Sequence, residues 1–529
     1  MVSTFHGLET AKRGMFTQQS ALSVVGHNIA NANTPGYSRQ RVNFQQTEPY
    51  PGASFNRPQI PGQIGTGVEA GSVQRIRDSF LDVQYRNEQN KLGYWETKAN
   101  ALKQMEEIMN EPSDSGLSKT MDMFWQSLQD LAVNPRNSGA RSVVRERGTA
   151  LAETFQYLSS SLTDIRQDIG NEIAVTEKEV NSLLNQINSV NNQIAAVEPH
   201  GYLPNDLYDE RDRLIDNLSQ LVNIKVSYQP TGGNAESIAE GKAVVQLVDQ
   251  NSAVIADLVS EQGVQELKVN YTDPDEESYV TSISVGKKDI AIESFKSDGK
   301  LKGLIESYGK KNQNGEVSGD FPDMLAELDN LAFTFAIEFN KVHSAGMSPN
   351  EITAGTNDEI PFFQDAGGNL LNADGTVNED QRKGFAQRME VSDEIQSSLD
   401  NIANADGTDP ENATTGDSTV LQALADVINN EYDYANGQDA EKANFRNYYE
   451  VLIGGMAVDT QNAIRLTQNS STLRQAVEEK RMSTSAVSLD EEMTNMIQFQ
   501  HAYNASARMI SLQDELLDKI INGMGTGGR

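Results

Sequence analysis

The sequence predicts a mainly α-helical protein with β inserts, elongated and multidomain, whose two chain ends pair as coiled-coil helices around a helical-bundle body. Three observations carry this. Residues 483 to 524 contain no proline and no glycine before Gly523, and Leu489, Met493, Met496, Tyr503, Ala507, Ile510, Leu517 and Ile521 follow three- and four-residue steps, with Gln500 and Asp514 as polar members of the seam. Near the N-terminus Leu8, Met15, Leu22 and Ile29 recur every seven residues. After Val222 the periodicity changes from helical to alternating, which marks strands.

A C-terminal rod of about forty residues spans roughly 60 Å and buries nothing by itself, so it needs a partner. The N-terminal amphipathic segment, residues 4 to 33, is the natural one, with Ala11 and Val25 between its heptad positions. It stops at Asn31, Asn33, Thr34, Pro35, Gly36 and Tyr37, where Pro35 disfavours helix before it and Gly36 permits a turn. Residues 40 to 76 are rich in Pro, Gly and Gln. Their GxGxxxG at Gly65, Gly67 and Gly71 follows no buried strand, so it reads as a turn-rich hairpin and not a nucleotide loop.

Helical periodicity resumes from Asp78 to Asn110, closed by Pro112, and from Leu117 to Val133. A longer seam runs from Leu151 to Val197, with an extra four-residue step beside Gly170 that locally unwinds it. After Pro204, Asn205 is expected to cap a helix whose apolar face is Leu207, Leu214, Leu218 and Leu221. Short alternating runs over 223 to 300 form a β-rich insert. A helix from Pro322 to Val342 follows, then a second, acidic insert over 346 to 417 with Ile360, Phe362, Phe363, Phe385, Met389 and Val391 as its core. Two NADG segments within it, at 372 to 375 and 404 to 407, read as tight turns, since Leu370 and Ile402 stand where a calcium loop needs its first ligand. Heptads return from Phe445 to Val477. The resulting domains are 1–60 with 483–529 (terminal assembly), 61–222 with 301–345 and 418–482 (helical body), 223–300 (β-rich insert) and 346–417 (small variable insert).

The chain has 529 residues, a net charge of −33 and no cysteine. That acidity argues against nucleic acid, and the missing thiols exclude disulfides and Cys chemistry. No run of eighteen apolar residues crosses a membrane, and the N-terminus lacks a cleavable apolar signal. The five histidines, His6, His27, His200, His343 and His501, are scattered, with no HExxH, P-loop or GxSxG. Asp490, Glu491 and Glu492 fall at the start of the terminal helix, where negative charge suits the helix dipole. No catalytic, metal or cofactor site is expected.

The segment FHGLETAKRGMFTQQSALSVVGHNIANANTPGYSRQRV, with its centre at residues 28 to 40, resembles the signature of the bacterial flagellar axial proteins, and SLDEEMTNMIQFQHAYNASARMISLQDELLDKIING resembles their matching C-terminal end. Within that family the motif PNDLYDERDRLIDNLSQLVNI at 204 to 224, the helix at 328 to 346 and the total length are similar to the hook–filament junction members. Rod and hook proteins share the signature but are β-rich after it, and flagellin and the other junction protein are less close. The resemblance implies an extracellular structural adaptor without catalysis, secreted unfolded through the flagellar type III export apparatus. It also implies a ring of about eleven copies, contacts with the hook protein and the second junction protein, and an export chaperone on the C-terminal helix. The residues expected to pack subunits are Leu8, Met15, Leu22, Asn28, Ile29, Asn31, Asn33, Pro35, Gly36 and Tyr37, and Met493, Ile497, Gln500, Tyr503, Ala507, Ile510, Asp514, Leu517 and Ile521. The alternatives are a secreted adhesin or enzyme carried on an axial scaffold, or another axial protein such as a flagellin-like one.

Overall fold

The computed structural model describes residues 5–52, 55, 62–109, 116–272, 278–371, 376–408, 413–434 and 442–523. Pro112 and the NADG segment at 372 to 375 lie outside these. The chain opens with α1 (His6–Ala30), β1 (Gln40–Gln46), β2 (Val68–Arg75), α2 (Ser79–Met109), α3 (Leu117–Val133), α4 (Ser138–Val197) and α5 (Asn205–Leu221). Strands follow: β3 (Ile224–Gln229), β4 (Lys242–Val248), β5 (Val254–Ser260), β6 (Gly263–Val264), β7 (Leu267–Tyr271), β8 (Val280–Val285) and β9 (Lys288–Ala291). Next come α6 (Lys300–Tyr308), β10 (Lys310–Lys311), β11 (Val317–Ser318), α7 (Asp320–Ser344), β12 (Gly346–Met347), α8 (Pro349–Ala354), β13 (Phe363–Asp365), α9 (Phe385–Arg388), β14 (Met389–Val391), α10 (Asp393–Ser397) and β15 (Ala405–Asp406). The chain closes with α11 (Thr419–Asp426), α12 (Phe445–Ser485) and α13 (Leu489–Gly523).

These elements form two compact units. Unit 1 comprises residues 1–92, 179–267 and 469–529, and unit 2 comprises 93–178 and 268–468. Helices α2, α4 and α12 contribute residues to both.

In unit 1, α1 packs along α13, so the terminal helices find each other as their apolar faces require. The pair is antiparallel: a Cβ on Gly7 would meet the Gln513 side chain at 2.9 Å, and one on Gly14 would meet Ser506 Oγ at 3.2 Å. The line of closest approach therefore lies one residue before the predicted heptad, on Gly7, Gly14, Ala21 and Asn28, while Leu8, Met15, Leu22 and Ile29 flank it half-buried. Small residues let the backbones come close, and the larger side chains cover the sides of the contact. The predicted rod also starts later: α12 runs to Ser485, and α13 begins at Leu489 after a three-residue break.

The antiparallel hairpin β1–β2, with a bulge between Asn43 and Phe44, lies against α1. Thr17 Oγ1 donates to Val68 O at 3.1 Å and Arg13 reaches Thr66 O at 3.5 Å, so the GxGxxxG segment is a hairpin arm. Strands β3, β4, β5 and β6 form an antiparallel sheet in which Ile224, Val245, Leu247 and Val259 are buried. Asn191 of α4 completes the ladder of β4 by bonding both N–H and C=O of Ala243, at 3.0 and 2.8 Å.

In unit 2 the remaining strands of the 223–300 segment, β7, β8 and β9, join β10 and β11 in a second sheet, β11-β10-β8-β7 with β9 on β8. One alternating stretch thus supplies two sheets. The core is aromatic: Phe124 and Trp125 of α3 meet Phe335 and Phe339 of α7, and Phe362 and Phe363 close over them at ring separations of 5.2 to 5.9 Å from Phe124 and Phe339. The 346–417 segment is anchored by these rings, by Phe385 on Phe333 at 5.4 Å, and by Arg141, whose guanidinium donates to the carbonyls of Pro135, Leu399 and Ile402. Its second NADG segment contains β15, which pairs with β12, before a turn at residues 407–408.

Candidate functional site: the terminal junction

The loop after α1 is where the two ends of the chain are joined, and all of its partners belong to unit 1. Asn28, in the last turns of α1, is buried and acts in both directions. Its Nδ2 donates to Gln40 O at 2.8 Å and to Glu492 Oε2 at 3.1 Å, and its Oδ1 accepts from Gln40 N at 3.0 Å and from Tyr37 OH at 2.8 Å. An amide alone among uncharged side chains of this size offers two donors and two acceptors together. One residue thereby ties α1, the loop, β1 and the first turn of α13.

Arg39 adds the charge. Its Nε donates to Glu492 Oε1 at 2.7 Å, its other two nitrogens hold Glu491 at 2.9 and 2.8 Å, and its backbone N donates to Ser485 O at 2.8 Å. Burial alone would lower the Arg39 pKa, but the hydrogen bond to Glu491 and the charge of Glu492 raise it above its ordinary value. Tyr37 is pushed well above the usual phenol range by burial and by the nearby charges of Asp206, Asp209 and Glu492, so it remains a donor. The acidic start of α13 is therefore a docking point as well as a dipole partner. Gly36 turns the loop in the left-handed region, φ +82°, with its missing side chain toward Arg213.

Beneath the loop, α5 presents Asp209, Asp212 and Asp216 on one face, at i, i+3 and i+7. Asp209 accepts from Ser38 N at 2.9 Å and from Arg75 at 2.6 Å. Asp212 lies between Arg75, Arg77 and Arg86 at 3.0, 3.2 and 3.3 Å. Asp216 pairs with Arg86 and with Arg481 of α12, each at 2.7 Å. Burial would raise Asp212, but Arg77, Arg75, Arg86 and Arg211 together hold it well below the carboxylate range. Asp209 is raised by burial, only partly countered by Arg75 and Ser38. Asn205, expected as a cap, makes no cap bond; its amide donates to Val73 O at 2.8 Å and locks α5 to β2.

Of the sequence-predicted residues, Asn28 and Tyr37 meet directly. Asn31 is half-buried and Asn33, Pro35 and Gly36 are exposed. On α13, Tyr503, Ala507, Ile510 and Leu517 are half-buried, on the partly covered side that also carries Ser506 and Gln513. Met493, Ile497 and Ile521 are 56, 55 and 70% exposed, and Gln500 and Asp514 are exposed too. Glu492 reads in the sequence as a helix-dipole partner and not as a latch, and Arg39 and the arginines of the arginine–aspartate network carry no local pattern that marks them. The one legible signal was the one-sided spacing of three aspartates in α5; their arginines lie far away in the chain.

Both ends of this junction match flagellar axial families. Residues 8–37 match the family described as flagella basal body rod protein, and residues 478–523 match the C-terminal family of the flagellar basal body rod FlgEFG proteins. Fold and junction therefore define a flagellar axial protein. Residues 102–363 match the flagellar hook-associated protein FlgK helical domain. The chain is 46% identical to flagellar hook-associated protein 1 of Bacillus subtilis (strain 168), over 100% of both chains. It is 25% identical to the proteins of the same name from Salmonella typhimurium, over 97% of this chain and 98% of that one, and Escherichia coli K12, over 97% and 99%. A solved structure, the flagellar hook junction protein FlgK from Burkholderia pseudomallei, shares the fold at a TM-score of 0.57, 14% identity, and coverage of 77% of this chain and 100% of that one. The chain belongs to the flagellar hook-associated protein 1 family, and so to the bacterial flagellum.

Proposed function

We propose that this protein is a structural adaptor, without catalysis, that joins hook to filament and on which the filament is assembled. The observation that carries the reading is the terminal pair. Asn28 and Arg39 latch α13 to α1 on one side, while two apolar groups on α13, Met493 with Ile497 and Met509 with Leu512 and Leu516, stay about half exposed. Apolar side chains left exposed on a helix already paired are suited to neighbouring copies. On this reading residues 1–60 with 483–529 form the assembly layer; 61–222, 301–345 and 418–482 the body; and 223–300 and 346–417 outlying inserts. Gln500 and Asp514 make polar contacts between copies in a ring of about eleven. The chain leaves the cell unfolded by type III export, guarded by a chaperone on α13, and meets the hook protein on one side and the second junction protein on the other.

The test is complementation of a strain lacking the protein with Met493→Asp, Ile497→Asp or Ile521→Asp. Each variant should be exported and soluble yet leave hooks bare and filament subunit in the medium. Normal filaments on all three would overturn the assignment.

A further inference from the structure

We infer that unit 2 carries a saccharide-binding groove, shaped for one neutral pyranose ring, between Tyr271, Tyr308 and the α4 amides Gln167 and Asn171. This goes beyond the adaptor reading and does not depend on it. The groove originates at the interruption in the α4 seam. Gly170 has no side chain there, and a Cβ would lie 2.8 Å from Tyr308 Cε2, so the Tyr308 ring rests directly on the helix. One turn earlier, Arg166 donates to Tyr308 O at 2.9 Å and Ser278 O at 2.6 Å, and its guanidinium lies 4.5 and 4.9 Å from the rings of Tyr279 and Tyr308. That holds the floor rigid. Tyr271 meets Tyr308 edge to face, with centroids 6.0 Å apart and planes at 88°, and is 37% exposed.

The space so enclosed is a groove of about 470 Å³, ample for a hexose. Its chemistry selects the ligand. Gln167 and Asn171 stand one turn apart on α4, both exposed at the groove. Neither their amides nor the hydroxyls of Tyr271 and Tyr308 bond to another side chain among the described residues. These groups both donate and accept, as a sugar's hydroxyls do, whereas Arg166, the cation among the described lining residues, is already engaged with two carbonyls. An anionic ligand therefore finds no open charge partner among the described lining residues. The flat C–H face of a pyranose suits a single exposed ring with a perpendicular neighbour. A polyproline helix needs parallel aromatic ridges, which an 88° pair does not offer.

The test is saturation-transfer NMR and titration calorimetry on the full chain with two sugar sets, N-acetylglucosamine oligomers, which represent cell-wall glycan, and galactose-terminated oligosaccharides, which represent other surfaces. A proline-rich decapeptide is the third probe. Binding of either sugar set is expected, with Tyr271→Ala weakening it about tenfold or more and Tyr271→Phe staying within about threefold. Gln167→Ala with Asn171→Ala should weaken it again, and tryptophan fluorescence of each variant should match the parent. No sugar binding at millimolar concentration, binding unchanged in Tyr271→Ala and the amide variant, or binding of the decapeptide alone would each overturn the inference.

Discussion

His343 should make the stability of unit 2 fall steeply with acid. It is fully buried at the end of α7, with Nδ1 2.8 Å from Ile360 O and Nε2 3.0 Å from Ala403 N. A carbonyl can only accept and an amide N–H can only donate, so Nδ1 carries the proton and Nε2 must be bare. Protonation would put two donors face to face. Burial accordingly lowers the His343 pKa from 6.5 to about 4, with Arg141 helping and the Ile360 hydrogen bond and Glu351 opposing. Because the folded value lies below the unfolded one, the stabilisation is complete above pH 6.5 and is lost progressively as the pH falls toward about 4. At about 1.4 kcal/mol per pH unit, that interval corresponds to a loss of about 3 kcal/mol. The two tryptophans, Trp95 and Trp125, both belong to unit 2, so their fluorescence reports it selectively. Urea unfolding at pH 7, 6, 5 and 4 should show the parent losing about 3 kcal/mol more than His343→Gln, since carboxylates titrating in the same range are common to both. Equal losses in the two proteins would refute the neutral-clamp argument.

Arg39→Ala strands the buried Glu492 carboxylate and should cost the terminal pair about 3–5 kcal/mol; α13 should become the first site of limited proteolysis, and adding Glu492→Gln should restore part of the protection. Asp212→Asn leaves Arg75, Arg77 and Arg86 in excess and should lower stability at neutral pH by a similar ~3–5 kcal/mol. Since the Asp212 pKa is depressed, its contribution is present above the ordinary carboxylate pKa and lost below it, so the variant should also flatten the acid limb of a thermal-unfolding series near pH 4 to 2. Gly241→Ala forces a left-handed residue, φ +78°, to carry a Cβ 2.0 Å from Gln229 O. It should displace the carbonyl that accepts from Arg211 and lower the midpoint of thermal unfolding by many degrees, corresponding to about 3 kcal/mol or more.

Much of this was legible in the residues because helix periodicity is local. The apolar steps of α4, α7, α12 and α13, and the Pro35–Gly36 stop after α1, need no knowledge of distant partners, and Phe362, Phe363 and Phe385 stood out as the aromatic side chains of the acidic 346–417 stretch. Where one strand-rich stretch becomes two sheets was not legible, since alternation gives the face of a strand and not its neighbour.

The sequence by itself determined that the chain ends are long amphipathic helices that must cover one another, because an exposed apolar seam is unstable alone. Only the tertiary structure decided how they meet. The contact runs along Gly7, Gly14, Ala21 and Asn28, one residue off the larger apolar heptad, because backbone proximity favours small side chains. It is closed by a hydrogen bond between residues 464 positions apart, Asn28 and Glu492. A polar side chain reads as surface until a distant partner and the loss of water around both make it a latch, and that partner is a property of the folded chain.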